Sequence, residues 1–88
     1  MEARVWSETG LLPAHLETVR LTELNDGRWQ AQCEDQHGRV RALHFEHEGA
    51  QAQVLSMLRR DYGFTDFGAE ETVRRLFEPF EMAADWPW

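Results

Sequence analysis

Residues 28–48 read RWQAQCEDQHGRVRALHFEHE, and the alternation within them decides the fold. Trp29, Ala31 and Cys33 share one parity, with Gln30, Gln32 and Glu34 on the other. That is the period of two a half-buried strand requires. His37-Gly38 marks a turn, because glycine takes the positive φ that tight turns demand. Val40, Ala42 and His44 continue the core-side parity, which puts Arg39 and Arg41 on the outer side. The turn then sets Glu34 across from Arg39 or Arg41, a favourable cross-strand charge pair. The alternation breaks at Leu43 and Phe45, apolar residues on the parity of the arginines. Either a bulge resets the register after Ala42, or the outer face is also partly covered, for instance by a partner.

Upstream, residues 17–24 (ETVRLTEL) alternate in the same way, with Val19 and Leu21 on one face and Thr18, Arg20 and Thr22 on the other. Asn25-Asp26-Gly27 follows as the strongest turn signal in the chain. Nearer the start, Thr9-Gly10 marks a turn and Pro13 suits the first position of a short helical turn through Leu16. Val5 and Trp6 either begin a fourth strand or lie against the core.

Downstream the period changes. Ala50, Val54, Met57 and Leu58 form a helical stripe with Leu55 at its edge. Arg59 and Arg60 suit the negative end of the helix dipole, and Gly63 is a natural left-handed cap. A second helix carries Ala69, Val73, Leu76, Phe77 and Phe80 on one face, with Glu70–Arg74 and Glu71–Arg75 as i,i+4 pairs. Pro79 disfavours helical geometry at Glu78 and ends or kinks it. The predicted architecture is α+β: a three-stranded antiparallel meander over residues 17–24, 28–34 and 39–47, with the open question of a fourth strand at Val5. Helices over 50–62 and 69–78 follow, packed on the sheet, in a single small domain with residues 79–88 as an acidic, aromatic tail.

Sixteen acids stand against nine bases in 88 residues, a net charge of −7, and every base is arginine. Nonspecific nucleic-acid binding is disfavoured, because phosphate contacts need a basic surface. No apolar run approaches the ~20 residues of a membrane span, and MEARVWSETG lacks the layout of a signal peptide. The single cysteine, Cys33, excludes an internal disulfide framework and any CxxC zinc site. A cytoplasmic location is the expectation.

Cys33, His37, His44 and His47 invite a metal reading, but His44 and His47 are three apart and point to opposite sides of a strand. No metal and no cofactor is expected. Cys33 as an inward-facing strand residue resembles a buried apolar side chain more than a reactive thiolate. Ser7 and Ser56 have no recognisable base beside them. No GxGxxG, P-loop, HExxH or GxSxG sequence occurs, so the chain is read as a non-enzyme.

The chain ends Asp85-Trp86-Pro87-Trp88, with Glu78 and Glu81 upstream. Aromatics carry much of the energy at interfaces, and proline lowers the ordering cost of an extended peptide. In composition this segment is similar to the acidic, proline-containing, aromatic-ended tail of bacterial single-stranded-DNA-binding proteins. That resemblance implies partner recruitment, and it covers only the last few residues. The competing reading has Trp86 and Trp88 folding back to complete a core or a dimer contact.

The leading expectation is an acidic protein-interaction module: a small inhibitor, adaptor or regulatory subunit whose partner presents a basic surface. A nucleic-acid mimic of the kind encoded by phages is one form of it, by analogy of size and charge. The residues nominated for partner binding are Glu78, Glu81, Asp85, Trp86, Trp88, Arg41 and Phe45. Two alternatives stand beside it. One is direct nucleic-acid binding through a sheet face bearing Arg20, Arg39, Arg41 and Phe45; the other is a metal or small-ligand site around Cys33 and His44.

Overall fold

The computed structural model describes residues 2–80. Four strands, β1 (Glu2–Trp6), β2 (Leu16–Glu23), β3 (Trp29–Asp35) and β4 (Val40–Phe45), form one antiparallel sheet in sequential order. Two helices follow, α1 (Ala50–Tyr62) and α2 (Asp66–Phe77), and a 3-10 turn at Glu78–Phe80 closes the described chain. Helix α2 packs over β1 and β2, and α1 over β4. The α+β architecture is therefore as expected, with Val5 in a true fourth strand. Pro13 opens only a turn, closed by the Leu16 N–H donating to the Pro13 carbonyl at 3.0 Å.

The β2–β3 and β3–β4 hairpins turn through the same geometry. The Gly27 N–H donates to the Leu24 carbonyl at 3.0 Å, and the Leu24 N–H to the Arg28 carbonyl at 2.8 Å. In the second hairpin the Gly38 N–H donates to Asp35 at 3.1 Å and the Asp35 N–H to Arg39 at 2.9 Å. Gly27 and Gly38 sit at φ 87° and 81°, as a three-residue loop ending in a left-handed residue requires.

That loop length corrects the sequence reading of β4. A three-residue loop keeps odd positions opposite odd ones: Cys33 faces Arg41, Ala31 faces Leu43 and Trp29 faces Phe45. Leu43 and Phe45 are thus on the helix side, partly buried against the core, and neither a bulge nor an outer cover is needed. Val40, Ala42 and His44 fall on the opposite face instead, with Val40 55% exposed. Glu34 lies across from Val40, and no Glu34–arginine pair forms. A real irregularity lies elsewhere, in β2 between Leu16 and Thr18, where the pairing shifts by one residue.

Trp29 anchors the core at the β2–β3 end. It is 1% exposed, meets Phe77 and Phe80 edge-on at 5.2 and 4.8 Å, and stacks with His47 at 5.9 Å. Val19, Leu21, Val54, Leu58, Val73 and Leu76 fill the layer between sheet and helices. The charge pair seen on α2 is Arg74 with Glu71, one residue closer in sequence than expected.

Helix α2 begins three residues earlier than its apolar stripe indicates, because Thr65 caps it. The Thr65 hydroxyl accepts from the Gly68 N–H at 2.9 Å. Gly68 is a close-approach residue: a Cβ there would lie 2.7 Å from the Leu11 carbonyl oxygen. Helix and loop therefore touch through backbone, with no room for a side chain. Thr65→Ala is expected to lower the unfolding free energy by about 1 kcal/mol, and Thr65→Ser to leave it nearly unchanged, measured by urea denaturation.

Candidate functional site

β4 is an edge strand, and three of its side chains project toward α1. From the strand come Arg41, Leu43 and Phe45; from the helix come Gln53, Ser56, Met57, Arg60 and Asp61. Between them runs an open groove of about 440 Å³. Leu43, Phe45 and Met57 make an apolar floor, because the hairpin register turns the odd positions of β4 inward while the strand is too far out to be covered completely. Arg41 and Arg60 stand on either wall. A shallower depression of about 550 Å³ continues across the crest of α1, lined by Leu55, Arg59, Phe64 and Asp66 among others.

The charges of this surface are unevenly satisfied. Arg59 pairs with Asp66 at 2.9 Å and Arg60 with Asp61 at 3.5 Å, both at the surface, where such pairs contribute little. Arg41 has no carboxylate partner among the described residues.

Two nominated residues, Arg41 and Phe45, thus meet in one groove, on the helix side rather than the outer face. Glu78 is exposed in the turn after α2 and does not line the groove. Glu81, Asp85, Trp86 and Trp88 lie outside the described residues. Leu43, Met57, Gln53 and Arg60 were not nominated; the broken alternation at Leu43 and Phe45 was a signal for Leu43, and nothing in the sequence pointed to the three residues of α1.

The arginine-bearing sheet face does not assemble. Arg20 sits on the face away from the helices, opposite Arg4 and Gln32, with Glu2 3.5 Å from its Nε. Arg41 and Phe45 share the parity of Cys33 and Trp29 on the other face. Arg39 sits at the base of the hairpin loop opposite Asp35. Odd loop length is again the reason.

The same parity separates Cys33 from His44. Cys33 is 3% exposed on the helix side, while His44 faces outward opposite Gln30 and His47 stacks on Trp29. No group of three or more His, Cys, Asp or Glu among the described residues is arranged to hold a metal ion. Burial pushes the Cys33 thiol up to about 11, with Tyr62 and Arg41 opposing weakly. Burial likewise pushes the Tyr62 hydroxyl up to about 12, reinforced by the adjacent Cys33. Both groups are neutral at physiological pH.

The folded state holds the Cys33 proton more tightly than an unfolded thiol with its ordinary value of 9.0. Stability from this group is complete below that value and falls as pH rises toward about 11. Cys33→Ala should therefore flatten the alkaline limb of a stability-against-pH curve between about 9 and 11. In the native protein at pH 8 the thiol should react with Ellman's reagent far more slowly than in urea. Equal rates would contradict the buried placement.

No helix among the described residues is long and apolar enough to cross a membrane. Comparison with known proteins adds no relative: no protein-family model, no curated protein and no solved structure matches the chain significantly.

Proposed function

We propose that this chain is a non-enzymatic protein-interaction module, a small inhibitor, adaptor or regulatory subunit, and that the groove between β4 and α1 is its contact surface. The observation that carries this reading is the groove itself, where Phe45, Leu43 and Met57 lie between two arginines beside a strand edge that is unpaired among the described residues. A partly exposed aromatic in a depression rimmed by arginine is the composition of interface hot spots. The occupant proposed is an extended segment of a partner protein that inserts an apolar side chain next to an acidic one. The acid answers Arg41, and the segment's backbone pairs with the free edge of β4.

Around that contact the net charge of −7 favours a partner whose wider surface is basic, through long-range steering. A nucleic-acid mimic is the special case in which that basic surface is a nucleic-acid site. A cytoplasmic setting belongs to the same proposal, with Cys33 kept as a free thiol. The acidic, aromatic segment through Trp88 remains a second proposed contact, resting on its sequence alone.

Affinity capture from a lysate of the source organism tests the reading when run with three baits: the full chain, Phe45→Glu, and a chain ending at Ala84. A protein held by the full chain and lost with Phe45→Glu supports the groove. A protein lost only on truncation moves the interface to the C-terminal segment. Retention by all three baits contradicts both.

A further inference from the structure

At the opposite end of β4 from Phe45 lies a smaller cleft of about 190 Å³, lined by His15, Cys33, Asp35, Arg39, Arg41 and Tyr62 among others. Three elements meet there: the loop before β2, the β3–β4 hairpin and the last turn of α1. His15 stacks on Tyr62 with ring centres 6.4 Å apart, which holds the tyrosine ring against the sheet. The hairpin is tied to the loop by the Gln36 side-chain amide, which donates to the Ala14 carbonyl at 2.6 Å. The walls are thus fixed by contacts that do not involve the arginines.

The polar groups inside are unsatisfied in one direction. The Tyr62 hydroxyl oxygen is buried and makes no hydrogen bond of good geometry among the described residues, with the Cys33 thiol and the Arg41 guanidinium as its polar neighbours. Leaving such a group unpaired costs about 1–3 kcal/mol, so an acceptor placed in the cleft would gain by taking its hydrogen bond. Arg39 and Arg41 make no ion pair among the described residues, although the same stretch of chain carries fourteen acids. The one carboxylate lining the cleft is already engaged: Asp35 Oδ1 accepts the N–H groups of His37 at 2.8 Å and Arg39 at 3.0 Å. Those bonds hold it ionised within the hairpin loop. The thiol and the phenol are neutral at pH 7. Two guanidiniums against one carboxylate leave this cleft locally positive in a protein of net charge −7.

We infer that this cleft binds a small oxyanion, a phosphate or carboxylate group, held by Arg39 and Arg41 with the Tyr62 hydroxyl donating to it. Guanidinium and phenol donors lining one cleft match an oxyanion's several acceptor sites. The volume admits such a group with a few waters, and it is below the ~300 Å³ at which pockets for whole organic ligands begin. Two sources supply the chemistry: a free anion, or an acidic side chain of the partner protein. The second source rests on the proposed interaction role, and the first does not.

The test is a titration of the isotope-labelled full chain with sodium phosphate, and separately with sodium acetate, against chloride at matched ionic strength. Amide and tyrosine ring signals are followed by NMR. Saturable shifts centred on residues 35–41 and Tyr62 are expected with at least one of the two anions. Arg41→Gln is expected to weaken the binding about tenfold and Tyr62→Phe several-fold, in keeping with lost charge-assisted hydrogen bonds. Arg39→Gln, which does not border the groove, keeps the result separable from partner binding. Shifts no larger than those at Arg74 and Arg75 on α2 would show general charge screening and overturn the inference, as would no difference from chloride. Where a captured partner is in hand, its displacement by phosphate identifies the partner's acid as the occupant, and simultaneous binding identifies the free anion.

Discussion

Trp29→Ala is expected to remove about 3–5 kcal/mol of stability, a third or more of what a domain of this size typically holds at 25 °C. A domain of 88 residues holds roughly 4–13 kcal/mol in total. Trp29 is the largest fully buried side chain among the described residues, and it ties β3 to the end of α2 and the turn after it through Phe77 and Phe80. Removing it opens a cavity bounded by sheet on one side and a short 3-10 turn on the other. The turn can move, so partial collapse should bring the loss toward the lower part of that range. Urea denaturation followed by far-ultraviolet circular dichroism measures it. Trp29→Phe is the informative companion. The indole Nε1 has no hydrogen-bond partner among the described residues, so a phenyl ring loses area and no bond. Its loss should be less than half that of alanine. A Trp29→Ala variant within 1 kcal/mol of wild type would refute this core.

The second large effect is on binding. Phe45→Glu is expected to weaken association with the captured partner by at least about 30-fold, the 2 kcal/mol or more that defines an interface hot spot. A carboxylate on the apolar floor must be desolvated when the partner's side chain arrives, and it repels the acid that Arg41 is proposed to receive. Phe45 also lies against the core opposite Trp29, so the variant is expected to lose some stability. Arg41→Glu supplies the control, since it reverses a charge on the exposed wall and leaves the floor intact. It should weaken binding with an unchanged denaturation midpoint, and more at low salt than at high. Gln32→Glu, on the other face of the sheet, should change neither.

Much of this fold was legible in residues 17–63. The alternation of Val19, Leu21, Trp29, Ala31 and Cys33, the two glycine turns and the stripe of α1 all correspond to observed elements. Local pattern sufficed because each element meets its own period and its own stop signal. What failed was the face of β4. His37-Gly38 announces a turn but not its length, and one residue more or less sends every following side chain to the other side. Leu43 and Phe45 registered the mistake, being apolar where the assumed parity wanted polar, and reading them as the core side would have fixed the three-residue loop. The groove could not be foreseen, since it depends on where the following helix lies across the strand. The oxyanion cleft was hidden for the same reason: Tyr62 and Arg41 meet only once α1 has returned along β4. The early start of α2 was missed because Thr65 is followed by Gly68 and not by a capping glutamate, so the usual capping-box signal is absent.

The most direct test of the proposed interface is site-specific photocrosslinking from the full-length chain. A benzophenone amino acid is placed at Gln53 on the groove wall in one sample and at Gln32 on the opposite sheet face in another. Each is irradiated with the partner that affinity capture identifies. Crosslinks to the partner from position 53, with little or none from position 32, are the predicted result. Partner crosslinks from position 32 alone would contradict it, and so would crosslinks from position 53 only to this chain's own residues 81–88.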